Sequence, residues 1–185
     1  MNSRVNCDMD WSSAVFESVV WPMIVDVLGG GELLRMENRP DVELARLLDM
    51  KAGIDGWQIR TDGMRGIAAR VQTDCEYRTF TVRRERDSGA KTEYEKRAEA
   101  IYGNNGLIYP TITVQAYRVI NNEGIVVSVG VARTKDVFDF IRAGYAKQKR
   151  TSNAWFFVAP WDDMRQRGFR VHQHRHVTPI EEGQS

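Results

Sequence analysis

Asp55 is flanked by glycines in Gly53-Ile54-Asp55-Gly56, just before the apolar run Trp57-Gln58-Ile59. Glycines beside a carboxylate let a ligand or another chain segment come close. Two chemistries suit such a group. It can hold a divalent cation, which takes oxygen ligands at about 2.1 Å and needs room for phosphate and water. It can equally accept hydrogen bonds in a turn, the ordinary use of Asp among glycines. The segment Gly66-Ile67-Ala68-Ala69-Arg70-Val71-Gln72 follows, ahead of Asp74. Two residues apart on a strand, Arg70 and Gln72 share one face, and Asp74 continues the alternation. Arg70 can stabilise phosphate charge. With a pKa above about 12 it cannot act as a base.

A second set of groups lies in Arg78-Thr79-Phe80-Thr81-Val82-Arg83-Arg84. If Phe80 and Val82 face a core, Thr79, Thr81 and Arg83 face the other way. Guanidinium forks and neutral hydroxyls on one strand face suit phosphate contacts. Arg78, Arg84 and Lys96 extend the set. The same stretch also reads as a solvated surface paired with Glu76, Glu85, Asp87, Glu93 and Glu95. Lys147, Lys149 and Arg150 read as a basic loop over 147–153, suited to a nucleic-acid backbone or to solvent. His172, His174 and His176 alternate, but no Cys or Asp stands near them to complete a zinc site. The chain has no P-loop, dinucleotide fingerprint, nucleophile elbow or paired-Cys motif.

These groups must be held by helices and strands whose patterns are legible. Val15, Phe16, Val19, Val20, Met23 and Ile24 recur at helical spacing after a cap at Asp10 or Ser12. Pro22 should kink that helix or split it into two pieces, and Gly29-Gly30-Gly31 should end it. Arg39-Pro40-Asp41 opens a short helix through Val42, Leu44, Leu47 and Leu48. Segments 57–60, 66–72 and 77–83 predict an antiparallel meander, with a tight turn at Asp62-Gly63. Thr92 caps a helix through Tyr94, Ala98 and Ile101, and Gly103-Asn104-Asn105-Gly106 stops it. Strands follow at 111–119 and 125–132, joined by a turn at 121–124. Thr134 is then expected to cap a helix carrying Val137, Phe138 and Ile141. Segment 155–158 reads as a short buried strand, with an edge strand towards the histidines. Trp57 and Trp155 read as core, and Trp161, beside Pro160 and Asp162, as partly exposed.

This order predicts an α/β (α+β) chain with a mixed central β-sheet flanked by helices. The organisation is a flexible N-terminus at 1–9, one domain at 10–171 and a flexible tail at 172–185. With 185 residues, the chain suffices for one full core. The +1 charge, from 26 basic and 25 acidic residues, leaves the distribution of charge to decide any nucleic-acid partner. No apolar run nears the ~18 residues that span a membrane. The first residues lack the apolar core of a signal peptide, and Cys7 and Cys75 make no disulfide framework. The expectation is a cytoplasmic protein with free thiols.

A helix carrying Glu17, an aspartate opening a hairpin (Asp55) and a strand with polar residues two apart (Arg70-Val71-Gln72) resemble the PD-(D/E)XK nuclease superfamily over residues 12–84. The resemblance implies a restriction-endonuclease-like fold acting on DNA or RNA with Mg²⁺. The family motif is an acidic residue and then, on the next strand, Glu or Gln, one spacer and Lys. Asp55 matches the acid. The resemblance makes Asp55, Gln72 and Arg70 the catalytic set, and Glu17, Asp55 and Asp74 the metal ligands. It makes Arg78, Thr79, Thr81, Arg83, Arg84 and Lys96 the nucleic-acid contacts. The second strand has no Glu-x-Lys, and Arg70 and Gln72 stand in reversed order. That departure also suits a catalytically silent relative that binds nucleic acid or protein. A homodimer fits either version. In the cutting version, losing the Asp55 carboxylate should leave folding nearly intact.

Overall fold

The computed structural model describes residues 14–35, 53–73, 75–86, 91–118, 126–151 and 154–175. The expected helix at 39–48, the caps at Asp10 and Ser12, the turn at 121–124, Ser88-Gly89, Asp74 and His176 lie outside the described residues.

The first helix buries Val15, Phe16, Val20 and Ile24, the stripe its spacing predicts. Beside Pro22 the helix is in two pieces. The chain passes through a π-helical turn, Phe16–Val20, in which the Trp21 N–H reaches the Phe16 carbonyl, and continues as α1 (Trp21–Ile24). The wider turn places Pro22 at the start of α1, where a missing N–H costs little. Gly31 has φ +109°, and a Cβ there would lie 2.4 Å from the Ile59 carbonyl oxygen. The helix ends at Ile24, and glycine at 31 lets the chain turn tightly against the hairpin.

The described strands form two sheets. The larger runs, in spatial order, β1 (Glu32–Arg35), β2 (Gly56–Arg60), β3 (Gly63–Thr73), β5 (Ile112–Arg118), β6 (Val126–Arg133) and β9 (Val171–Arg175). The smaller runs β4 (Thr79–Arg86), β8 (Ala154–Pro160) and β7 (Lys147–Arg150). Helices α2 (Glu93–Tyr102), α3 (Thr134–Arg142) and α4 (Trp161–Gln166) complete the described elements. The larger sheet is mixed: β3 and β5 pair in parallel, and its other neighbours are antiparallel. This is the mixed α+β architecture the element order predicts. Among the described residues, no helix is long and apolar enough to cross a membrane.

The structure corrects the sequence reading at several points. Strands β2 and β3 form the expected hairpin, but β4 does not extend it as a meander. The edge of β3 is taken by β5, from Ile67↔Ile112 to Thr73↔Arg118. Strand β5 is buried on both faces and so belongs in the middle of a sheet. Strand β4 is apolar on one face only and crosses to β8, turning at Arg78 with φ +49°. Residues 147–150, read as loop, form β7, an exposed edge strand whose charges discourage further pairing. Thr134 is the first residue of α3 and makes no cap bond; its hydroxyl lies 2.9 Å from that of Thr113. The edge strand expected through the histidines is present as β9, which pairs with β6. Thr92 does cap α2, in a capping box with Glu95.

Trp161, expected to be partly exposed, is fully buried. It opens α4, and its ring lies over Gly130 of β6, where a Cβ would come within 2.3 Å of it. The ring also packs 5.7 Å from Phe80 of β4 and 5.7 Å from Tyr117 of β5, so one side chain joins the two sheets. Trp155 to Val158, expected to be buried, are half-buried. Strand β8 is the central strand of the small sheet, and one face of that sheet is open.

Candidate phosphate-binding cleft

That open face lines a cavity of about 850 Å³. Cross-strand register explains its lining. Thr81, Val158 and Lys147 form one row across β4, β8 and β7, and Arg83, Phe156 and Lys149 form the next. Thr79 sits opposite Pro160 in a third. Phe80 and Val82 point the other way and are fully buried, so the alternation expected on β4 is the alternation observed. Arg70 and Gln72 of β3 also line the cavity, with Tyr77 and Thr151.

Arg70 is oriented rather than loose. Its Nη1 donates to Thr81 Oγ1 at 2.8 Å, and its Nη2 lies 3.5 Å from a Glu93 carboxylate oxygen. Thr81 Oγ1 in turn donates to Gln115 Oε1 at 3.2 Å. The guanidinium lies 5.8 Å from the centre of the Phe156 ring, and that of Arg83 lies 5.5 Å from it. Glu93, the first residue of α2, also pairs with Arg97 and accepts from the Arg83 backbone N–H at 3.3 Å. Burial opposes its ionisation most strongly. The charges of Arg97, Arg70 and Arg83, with that N–H, overcome burial and hold its carboxyl below the usual range. Arg97 Nη2 donates to the Gly53 carbonyl at 2.8 Å, tying α2 to the segment before β2.

The cavity lining includes Arg70, Arg83, Lys147 and Lys149 and no carboxylate among the described residues. Lys147 and Lys149 were placed in a loop by sequence. Their two-residue spacing was the available signal that both project to one face of a strand. Phe156, an aromatic in an apolar run, reads as core, and Tyr77, between Glu76 and Arg78, carries no local signal for the site.

The other expected site residues do not line the cavity. Arg78 pairs with Glu76 at 2.7 Å. Arg84 stands at an irregularity between Arg83 and Glu85; it donates to Gln148 Oε1 at 2.6 Å and lies 5.8 Å from the Phe157 ring. Lys96 is on α2, and Glu17 is exposed on the first helix. Asp55 extends the β2–β3 ladder by one residue. Its N–H bonds the Ile67 carbonyl at 2.9 Å, and its Oδ2 accepts from the Ala69 N–H at 2.6 Å. The described residues do not fit the Mg²⁺ that the nuclease resemblance implies. Asp55 spends an oxygen on the backbone, Glu17 is a surface residue, and no three of His, Cys, Asp and Glu come together among them.

The bond from Ala69 gives Asp55 a part in folding, contrary to the expectation that its carboxylate is dispensable there. Asp55→Ala should lower stability by about 1–2 kcal/mol, because a half-buried N–H loses its acceptor. Asp55→Asn keeps an acceptor oxygen and should lose less than half as much. Urea unfolding of both variants checks this; equal losses would exclude the acceptor role.

Comparison with known protein families, with curated proteins and with solved structures finds no match for this chain.

Proposed function

We propose that this protein binds nucleic acid in the cleft without cutting it. The observation that carries this reading is the lining: four cations and several hydroxyls around an apolar floor, with no carboxylate among the described residues. A concave surface of one sign concentrates anions of the opposite sign. Arg70 is oriented before a ligand arrives, by Thr81 and Glu93, which lowers the cost of ordering it on binding. The Thr81 and Thr151 hydroxyls in the lining donate within the protein, to Gln115 Oε1 and to the Ala154 carbonyl, so the four cations carry the anion contacts.

The sequence beside Asp55 supports the silent version of the nuclease-like reading. Next to it on β3 stands Ala68-Ala69-Arg70, where the family motif has Glu or Gln, a spacer and Lys. The cation is kept as Arg70, and the second ligand is replaced by a methyl group. Gln72, which the resemblance places in the catalytic set, lies further along β3 in the cavity wall.

The test is anisotropy of labelled DNA and RNA against a salt series, with cleavage followed on gels in Mg²⁺, Mn²⁺ and chelator. Binding should survive chelator and weaken with salt. Replacing Lys147 and Lys149 together by alanine should reduce the slope of log affinity against log salt by about 1.4, at about 0.7 per phosphate contact on a single strand. No binding to any nucleic acid would refute the proposal. Metal-dependent cutting that disappears in Asp55→Ala would replace it with the catalytic reading. Affinity for a protein partner that ignores salt would favour an adaptor.

A further inference from the structure

We propose that the cleft selects single-stranded nucleic acid, with a base against Phe156 and Tyr77 and neighbouring phosphates at Arg70, Arg83 and Lys149. This inference rests on the nucleic-acid reading of the cleft. Its separate support is the apolar floor. Phe156, Val158 and Pro160 lie among the cations, on the open face of the small sheet. Contacts to phosphate alone need no such floor. A base does, because it presents an apolar face and carries its charge on the attached phosphate.

The register makes the arrangement specific. Phe156 is the middle residue of the row Arg83–Phe156–Lys149, so its ring has a cation on either side in the sheet. Arg70 reaches the same ring from β3. Cations around an aromatic ring reproduce, in reverse, the alternation of phosphate and base along a strand. Tyr77 supplies a second ring at the cavity. It is 49% exposed, is set edge-on to Tyr117 at 6.3 Å, and has Lys149 Nζ 4.7 Å from its centre. A base that stacks on Tyr77 therefore does so beside Lys149, which then meets the attached phosphate.

A duplex does not suit this geometry. Its bases are stacked inside and reach an aromatic ring only if flipped out, at a cost of a few kcal/mol. The cleft volume of about 850 Å³ falls in the ~300–1,000 Å³ of small-ligand sites, room for an unpaired base rather than for the width of a duplex. Bases with free faces, as in single strands, meet both conditions.

The experiment compares four labelled probes on the full chain: a pyrimidine 12-mer, the same backbone with abasic sites, a duplex and a nucleoside monophosphate. Tyr77→Ala and Phe156→Leu are measured beside the parent protein. Tyr77 is exposed, and leucine keeps apolar volume at 156, so folding checked by circular dichroism should persist. The 12-mer should bind at least about tenfold tighter than the duplex or the abasic strand. Each substitution should weaken the 12-mer about five- to tenfold, within the range for one stacked base, and leave the salt slope unchanged. Equal affinity for duplex and 12-mer, or for abasic strand and 12-mer, would overturn the inference while the nucleic-acid reading stands. A nucleoside monophosphate bound as tightly as the 12-mer would overturn it in favour of a free nucleotide. Failure of every probe to bind would remove the underlying reading instead.

Discussion

Trp161→Ala should lower stability by about 3–5 kcal/mol, a large share of what holds a protein of this size folded. The indole is fully buried where three elements meet: Phe80 of β4, Tyr117 of β5 and Gly130 of β6. Gly130 leaves the space that the ring fills, because any Cβ there would lie 2.3 Å from it. Truncation therefore opens a cavity between the sheets, and the cost of lost contacts adds to the lost burial. Trp161→Phe should be milder, at about 1–2 kcal/mol. It keeps a ring and removes an indole N–H that is buried without a hydrogen-bond partner among the described residues. Urea unfolding measures both. A loss below about 1 kcal/mol for alanine would mean that the indole does not join the sheets. Gly130 approached from the other side gives the same test, since a side chain there overfills the contact.

This joint shows why the cleft was only half legible in the sequence. Alternation on β4 was visible, because Phe80 and Val82 are apolar and Thr79, Thr81 and Arg83 are not. The Thr92 cap was visible because Thr and Glu95 form a local signal. What β4 pairs with was not local. Its pairing with β8 joins residues some 80 positions apart, such as Thr79 and Pro160, and no period in the sequence encodes it. Lys147-Gln148-Lys149-Arg150 has no β-forming residue and no apolar face, so it read as loop. It is a strand because β8 offers it an edge. Trp161 misled for a different reason. Its neighbours Pro160 and Asp162 look like a surface turn, but they mark the start of α4, and the first helical side chain points inward. Asp55 kept both meanings in the sequence, and the structure adds weight to the backbone-acceptor meaning through the Ala69 N–H.

Glu93→Gln should cost about 3 kcal/mol at pH 7, and this cost should shrink in acid. Arg97, its closest partner, has a side chain only 7% exposed, so removing the carboxylate leaves a nearly buried charge uncompensated. The lower end of the range for broken buried pairs applies because the Glu93 side chain itself remains 22% exposed. The pH dependence follows from the depressed folded value. In the unfolded chain the carboxyl titrates near its ordinary value of 4.5. Above that pH, both states are ionised and the full contribution is present. As pH falls below it, the unfolded state takes up the proton first, and the contribution drains away until the folded carboxyl is protonated too. At that point glutamic acid and glutamine are nearly equivalent neutral groups beside Arg97, Arg70 and Arg83. Unfolding free energies of the two proteins should therefore be far apart at pH 7 and converge below pH 4.5. Curves that stay parallel through that window would show that the stabilising charge lies elsewhere. Convergence would show that the carboxylate orienting Arg70 in the cleft also fastens α2 to β4 and, through Arg97, to the segment that carries Asp55.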